Sequence, residues 1–147
     1  MKLGEATYEQ VVGLLGKRKE HVPPLKPSDR VKTYGCWIDG IMVGCAASLF
    51  EGKNLSRVRL KMLYVHPDFR GRGIAVYLLR YRVVEAINFG AVSGVATCLP
   101  PSQKLYSLLD PEIVRTYHSG STNIRVDLRE SLRKLNNHIN SYENSNR

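Results

Sequence analysis

The 147 residues suffice for one domain, which at that size buries roughly 70% of the surface its unfolded chain exposes, so a core forms without disulfide or metal staples. Lysine and arginine number 22 against 13 aspartate and glutamate, a formal charge of +9 that favours anionic partners, with nucleic acid and phosphorylated cofactors both qualifying. No apolar run approaches the ~20 residues of a membrane span and the start lacks a signal-peptide pattern, which points to a cytoplasmic protein without membrane attachment.

The first element is a short strand around Lys2 to Ala6, followed by a helix that Thr7 can cap and that carries Val11, Val12, Leu14 and Leu15 up to Gly16. Lys17 to Arg30 is basic and broken by Pro23, Pro24 and Pro27, which predicts a loop with room for one helical turn before the prolines. From Thr33 to Ile38 and from Ile41 to Phe50, β-prone residues flank Asp39-Gly40, a pair that suits the positive φ angles of a tight hairpin. After a second turn at Glu51 to Asn54, the stretch Ser56 to Val65 alternates Val58, Leu60 and Met62 with Arg57, Arg59 and Lys61. That spacing predicts a strand with one apolar and one basic face.

A helix is expected from near Gly73 to about Phe89, with Ala75, Leu78, Leu79, Val83 and Ala86 as its apolar stripe and Gly90 ending it. The apolar run Ala91 to Leu99 then reads as a strand. Strand, helix, strand in that order implies a right-handed crossover and a locally parallel pair. Pro100-Pro101 precede or open a short helix through Leu109, stopped by Asp110-Pro111. Glu112 to Tyr117 and Asn123 to Leu128 form a closing hairpin. Leu128, Leu132, Leu135 and Ile139 make a helical stripe on a polar tail that either docks or frays after about Asn140. The order predicts an α/β (α+β) domain over 1–129, with a mixed, mostly antiparallel sheet and a central strand–helix–strand crossover. Residues 130–147 form a polar C-terminal helix or tail. Cys36, Cys45 and Cys98 have none of the spacing of a zinc or redox motif and read as buried, reduced thiols, so no metal site is expected.

Charge concentrates in the middle third: Lys53 to Arg82 holds eight basic residues and one acid, Asp68. Within it, Arg70-Gly71-Arg72-Gly73-Ile74-Ala75 lies between a strand end and a helix start. Amides in a first helical turn lack intrahelical partners and, with the positive end of the helix dipole, form an anion site. Glycine admits a phosphate close to the backbone, and Arg70 and Arg72 add charge. A Walker loop would need Gly-Lys-Ser/Thr after four intervening residues, and a dinucleotide fingerprint another Gly or Ala at Val76; neither fits.

The run Leu63-x-Val65-x-Pro67-x-x-Arg70-Gly71-x-Gly73-Ile74-Ala75, followed by Leu78-Leu79, resembles the pyrophosphate-binding signature of the GNAT superfamily of acyl-CoA-dependent N-acyltransferases. Arg70, Gly73 and Ala75 fill the defined positions of its Gln/Arg-x-x-Gly-x-Gly/Ala core. The resemblance implies that amides from Arg70 to Ala75 hold the CoA pyrophosphate and that backbone near Leu63 and Val65, at a bulge, pairs with the pantetheine arm. It also implies that the thioester lies where the strand splays from Ala91 to Leu99. Leu105-Tyr106 resembles the Leu-Tyr pair of the family's second motif, which implies Tyr106 as the acid for the departing thiolate. The Asn-x-x-Ala that usually precedes that pair falls on Leu99 and Ser102, and the usual Gly-Phe after it on Asp110-Pro111. Acetyl-CoA is the implied co-substrate.

Several relatives carry a glutamate base on the strand before the signature, where this chain has Arg57, Arg59 and Lys61. His66, Glu51, His118 or a water relay are the candidates for that role. The basic strand face suggests an amine acceptor with negative charge nearby, or simply meets the cofactor's phosphates or solvent. Two other functions remain open: a basic nucleic-acid-binding module, for which the sparse stacking aromatics give little support, and a GNAT-like protein that binds acyl-CoA without turnover.

Overall fold

A computed structural model describes residues 1–20 and 23–145. The loop expected over 17–30 therefore includes two residues, 21–22, outside the described set, as does the tail at 146–147. In chain order the elements are β1 (Lys2–Glu5), α1 (Tyr8–Leu15), β2 (Val31–Ile38), β3 (Ile41–Glu51), β4 (Arg57–Val65), α2 (Ile74–Phe89), β5 (Ser93–Cys98), α3 (Gln103–Tyr106), β6 (Glu112–Thr116), β7 (Thr122–Asp127) and α4 (Leu128–Ser145). Short 3-10 turns at Gly16–Glu20, Lys53–Leu55, Pro67–Phe69, Pro100–Ser102 and Ser107–Leu109 link several of them.

The strands form one sheet in the order β1-β2-β3-β4-β5-β7-β6, with β4–β5 the parallel pair and the other neighbours antiparallel. The expected mixed, mostly antiparallel sheet with its central crossover is what forms. Thr7 caps α1 through a reciprocal pair of bonds with Gln10, of 3.1 and 2.8 Å. Asp39 and Gly40 take φ of 51° and 78°, the two left-handed residues of a tight hairpin turn. Most strand ends shift by one residue and two starts shift by two: β2 begins at Val31, and β5 begins at Ser93 because Ala91 still closes the end of α2, its N–H donating to Ala86 O at 3.0 Å.

Helix α1 packs Val11 and Leu15 against Cys45 and Tyr64 on one face of the sheet. On the other face α2 sets Ile74 and Leu78 against Val43 and Val65, and Leu79, Val83 and Ala86 against Phe50, Val58 and Leu60. Helix α4 joins this second layer through buried Leu128 and Leu135, and Ser131 Oγ donates to Leu109 O at 2.7 Å. Asp127 caps α4, accepting from Glu130 N–H at 2.9 Å. The helix continues through Ser145 instead of fraying at Asn140, because Glu143 accepts from the Tyr77 hydroxyl at 2.6 Å and ties the last turns to α2.

Candidate active site

The site starts from a defect in the ladder between β3 and β4. Ala46 faces Leu63 and Ser48 faces Leu60, so β4 carries one extra residue opposite Ala47, a bulge at Lys61-Met62. Past it, β4 parts from β5: the parallel pairing covers only Arg57, Val58 and Arg59 against Ser93, Gly94 and Val95. His66 N–H donates back to Val43 O at 2.8 Å, toward β3. By strand alternation, the main-chain groups of Leu63 and Val65 face the opposite side, where the sheet has opened. One of them is engaged, since Arg70 Nε donates to Val65 O at 2.9 Å while its guanidinium lies 5.6 Å from the Tyr64 ring centroid.

Three residues beyond Arg70, Gly73 forms the N-cap of α2 at φ 81°, and no side chain caps that helix start. Gly71 has φ 80°, and an added Cβ there would meet nothing within 4 Å. Two left-handed glycines thus turn the chain sharply, and no side chain caps the first-turn amides of Ile74 and Ala75, although an added Cβ at Gly73 would come within 3.8 Å of the Tyr77 ring. Arg72 stands beside them, exposed, its guanidinium 5.0 Å from the Phe69 ring centroid. A cavity of about 260 Å³ adjoins this turn, lined by Gly71, Gly73, Val76, Tyr77 and, from α4, His138, Ile139 and Tyr142. The cavity's lining is mostly apolar, and the uncapped helix start beside an unpaired strand edge can take an anionic head followed by an extended chain.

Tyr106 is brought to the bulge from the other direction. It is buried, and its phenol oxygen accepts from Arg82 at 2.7 Å. The same guanidinium donates to Ala47 O and Met62 O, each at 3.0 Å, taking the carbonyls on both sides of the bulge. One side chain therefore joins β3, β4 and α3. Tyr106 and Leu63 meet in one region by this link, whereas His66 lies four strand residues beyond Met62, about 13 Å along β4.

The candidate bases fare differently. His66 Nδ1 accepts from Asp68 N–H at 3.1 Å as the cap of the Pro67–Phe69 turn. That bond takes up Nδ1 as an acceptor for the backbone. Glu51 is within reach of the basic strand face after all, bonding Arg57 Nε at 3.0 Å and Arg59 at 2.9 Å. Burial alone would raise its carboxyl, but the hydrogen bonds from Arg59 and Arg57 outweigh this and hold it below the usual carboxylate range, which makes it a weak base. His118 is exposed in the β6–β7 turn. Burial pushes the Cys98 thiol up to about 11 and Cys45 up to about 12, so neither supplies a thiolate near neutrality.

Arg82 escaped the sequence reading, which counted it only among the basic residues of the middle third. A signal was present: position 82 follows 78 and 79 by four and three and precedes 86 by four, so a charge stands in the apolar stripe of α2. The departure at Asp110 also has a local account, since Asp110 adopts φ 52°, a left-handed conformation that glycine takes freely and aspartate tolerates better than most residues.

No curated protein sequence matches the chain. Among solved structures, the chain is similar to aminoglycoside 6'-acetyltransferase type Ii, with TM-score 0.68 and 15% identity over 87% of this chain and 97% of that one. It is similar to the ribosomal-protein-S18-alanine N-acetyltransferase from Escherichia coli, with TM-score 0.70 and 14% identity over 86% and 93%. An aminoglycoside 6'-N-acetyltransferase complexed with coenzyme A gives TM-score 0.69 and 13% identity over 87% and 97%. A sequence model of the acetyltransferase (GNAT) family matches residues 9–109, a span that includes the β4 bulge, the glycine turn, Arg82 and Tyr106. The chain belongs to the GNAT acetyltransferase family.

Proposed function

We propose that the protein is an N-acyltransferase that moves an acetyl or short acyl group from acyl-CoA to an amine. The observation that carries this reading is the uncapped start of α2, with left-handed Gly71 and Gly73, set beside the unpaired edge of β4. Bound there, acyl-CoA supplies an activated thioester. The amides from Arg70 to Ala75, with Arg70 and Arg72, hold the pyrophosphate, and the Leu63 and Val65 backbone orients the pantetheine arm. Tyr106 gives a proton to the departing sulfur. The acyl group passes directly to the amine, consistent with the raised Cys98 and Cys45 thiols.

His66 serves the turn as a cap rather than as a base, and a solvent relay takes the amine proton. A net charge of +9 disfavours a polycationic acceptor such as an aminoglycoside and favours an amine with negative charge nearby, on a protein or a small molecule. Binding of nucleic acid has less support: Arg57 and Arg59 are paired to Glu51, and Arg82 is buried, so the eight basic residues do not make one surface. Among the described residues, no helix is long and apolar enough to cross a membrane.

Calorimetric titration with acetyl-CoA tests the reading, followed by mass spectrometry of acylated products from a cell extract incubated with the protein. Saturable binding and a mass gain of one acyl group on an amine support it. Absence of binding by the folded protein removes it.

A further inference from the structure

Arg82 is wholly buried, yet among the described residues it forms no ion pair. Its partners are two neutral carbonyls and one phenol, and its Nε has none. A guanidinium keeps its charge inside a protein, and an apolar side chain would fill this stripe position at less desolvation cost. Clasping the bulge explains two of the bonds. It does not explain an open positive charge 2.7 Å from the oxygen of Tyr106.

We infer that Arg82 is the positioning residue for proton donation by Tyr106, an inference that rests on the acyltransferase reading. Because the phenol oxygen accepts from Arg82, its own hydrogen is not spent on that contact and is left for another acceptor. In the transfer, the amine nitrogen bonds to the acyl carbon as the carbon–sulfur bond breaks. Sulfur leaves with the bonding pair and takes the Tyr106 proton. The phenolate left behind sits against the unneutralised guanidinium. It regains a proton from solvent, which has received the one lost by the amine, and nothing is oxidised or reduced. Arg82 favours this step most when the negative charge is on Tyr106, so it acts on turnover more than on binding.

The test is thiol release from acetyl-CoA with hydroxylamine as the acceptor, taken as the rate above the uncatalysed reaction of hydroxylamine with the thioester, measured for the wild type, Arg82→Met, Tyr106→Phe and the double variant, alongside acetyl-CoA titration of each. Arg82→Met is expected to lower kcat about thirtyfold, below the ~10²-fold and greater effect of the acid itself, and to leave KM for acetyl-CoA within about twofold. The double variant is expected to be no slower than Tyr106→Phe alone. Losses that multiply, or an Arg82→Met rate equal to wild type, overturn the inference. If the wild type binds acetyl-CoA but releases no thiol, the inference falls while acyl-CoA binding stands; if it binds none, both readings fall. Should Arg82→Met fail to fold, Arg82→Lys keeps the charge but cannot span both carbonyls and the phenol. It is then expected to be slower beside Tyr106 and unchanged beside Phe, and equal losses in the two backgrounds overturn the assignment.

Discussion

The glycine turn at 70–75 and the Arg82–Tyr106 clasp lie at two ends of the same candidate site and are built in opposite ways. The turn is assembled from consecutive residues, and its chemistry belongs to the backbone. Two left-handed glycines and an uncapped helix start do the work, so a short string of letters carries most of the information. The clasp joins residues 20, 24 and 35 positions apart, and its chemistry belongs to side chains that meet only once the sheet has bulged and α2 has docked. Contiguous chemistry is legible before folding, whereas assembled chemistry is legible only after it.

Substitutions at the two places should separate binding from turnover. Tyr106→Phe removes the proton and should slow thiol release roughly a thousandfold, mid-range for a general acid, with acetyl-CoA affinity unchanged in titration. Equal loss of affinity would erase the distinction between the two regions. Gly73→Asp places bulk and negative charge at the turn and should weaken acetyl-CoA binding roughly a hundredfold, the effect of about two lost charge-assisted hydrogen bonds. Normal binding by the folded variant would take the turn out of the site. Arg70→Ala should weaken binding about tenfold and free the Val65 carbonyl, with kcat at saturation unaffected. A fall in kcat larger than the rise in KM would instead link Arg70 to the chemistry.

The smallest effect concerns the scaffold that holds both places. Cys45 and Cys98 are pushed up to about 12 and about 11 from an ordinary 9, so the unfolded chain loses those protons first as pH rises. Their contribution is fully present below about pH 9 and is lost as pH climbs through the folded values. The unfolding free energy from urea titration should therefore decline between about pH 8.5 and 10.5, and Cys98→Ala should flatten the slope. A slope unchanged in that variant would assign the alkaline loss to other groups, Tyr34 among them, whose phenol is raised by burial.

Much of the fold could be read in advance for the same reason the turn could. The Asp39-Gly40 hairpin, the Thr7 cap and the Gly73 and Gly90 ends of α2 are local devices, and the order of elements followed from them. Two charges of the basic face of β4 are paired by Glu51, which sits across a turn, six and eight residues from its partners. Counting charges along the chain therefore described a surface that pairing and burial break up. Arg82 is the same error in another form: as one letter it adds to a net charge, and as a side chain it disappears into the interior.

The last turns of α4 have a practical consequence. Glu143 is bonded to Tyr77, which lies one helical turn into α2 from Gly73, so α4 delivers its own end to the edge of the glycine turn. A polyhistidine tag or fluorescent fusion joined downstream of Ser145 would emerge beside the amides assigned to the pyrophosphate. Recombinant protein intended for ligand studies should therefore carry its affinity handle ahead of β1.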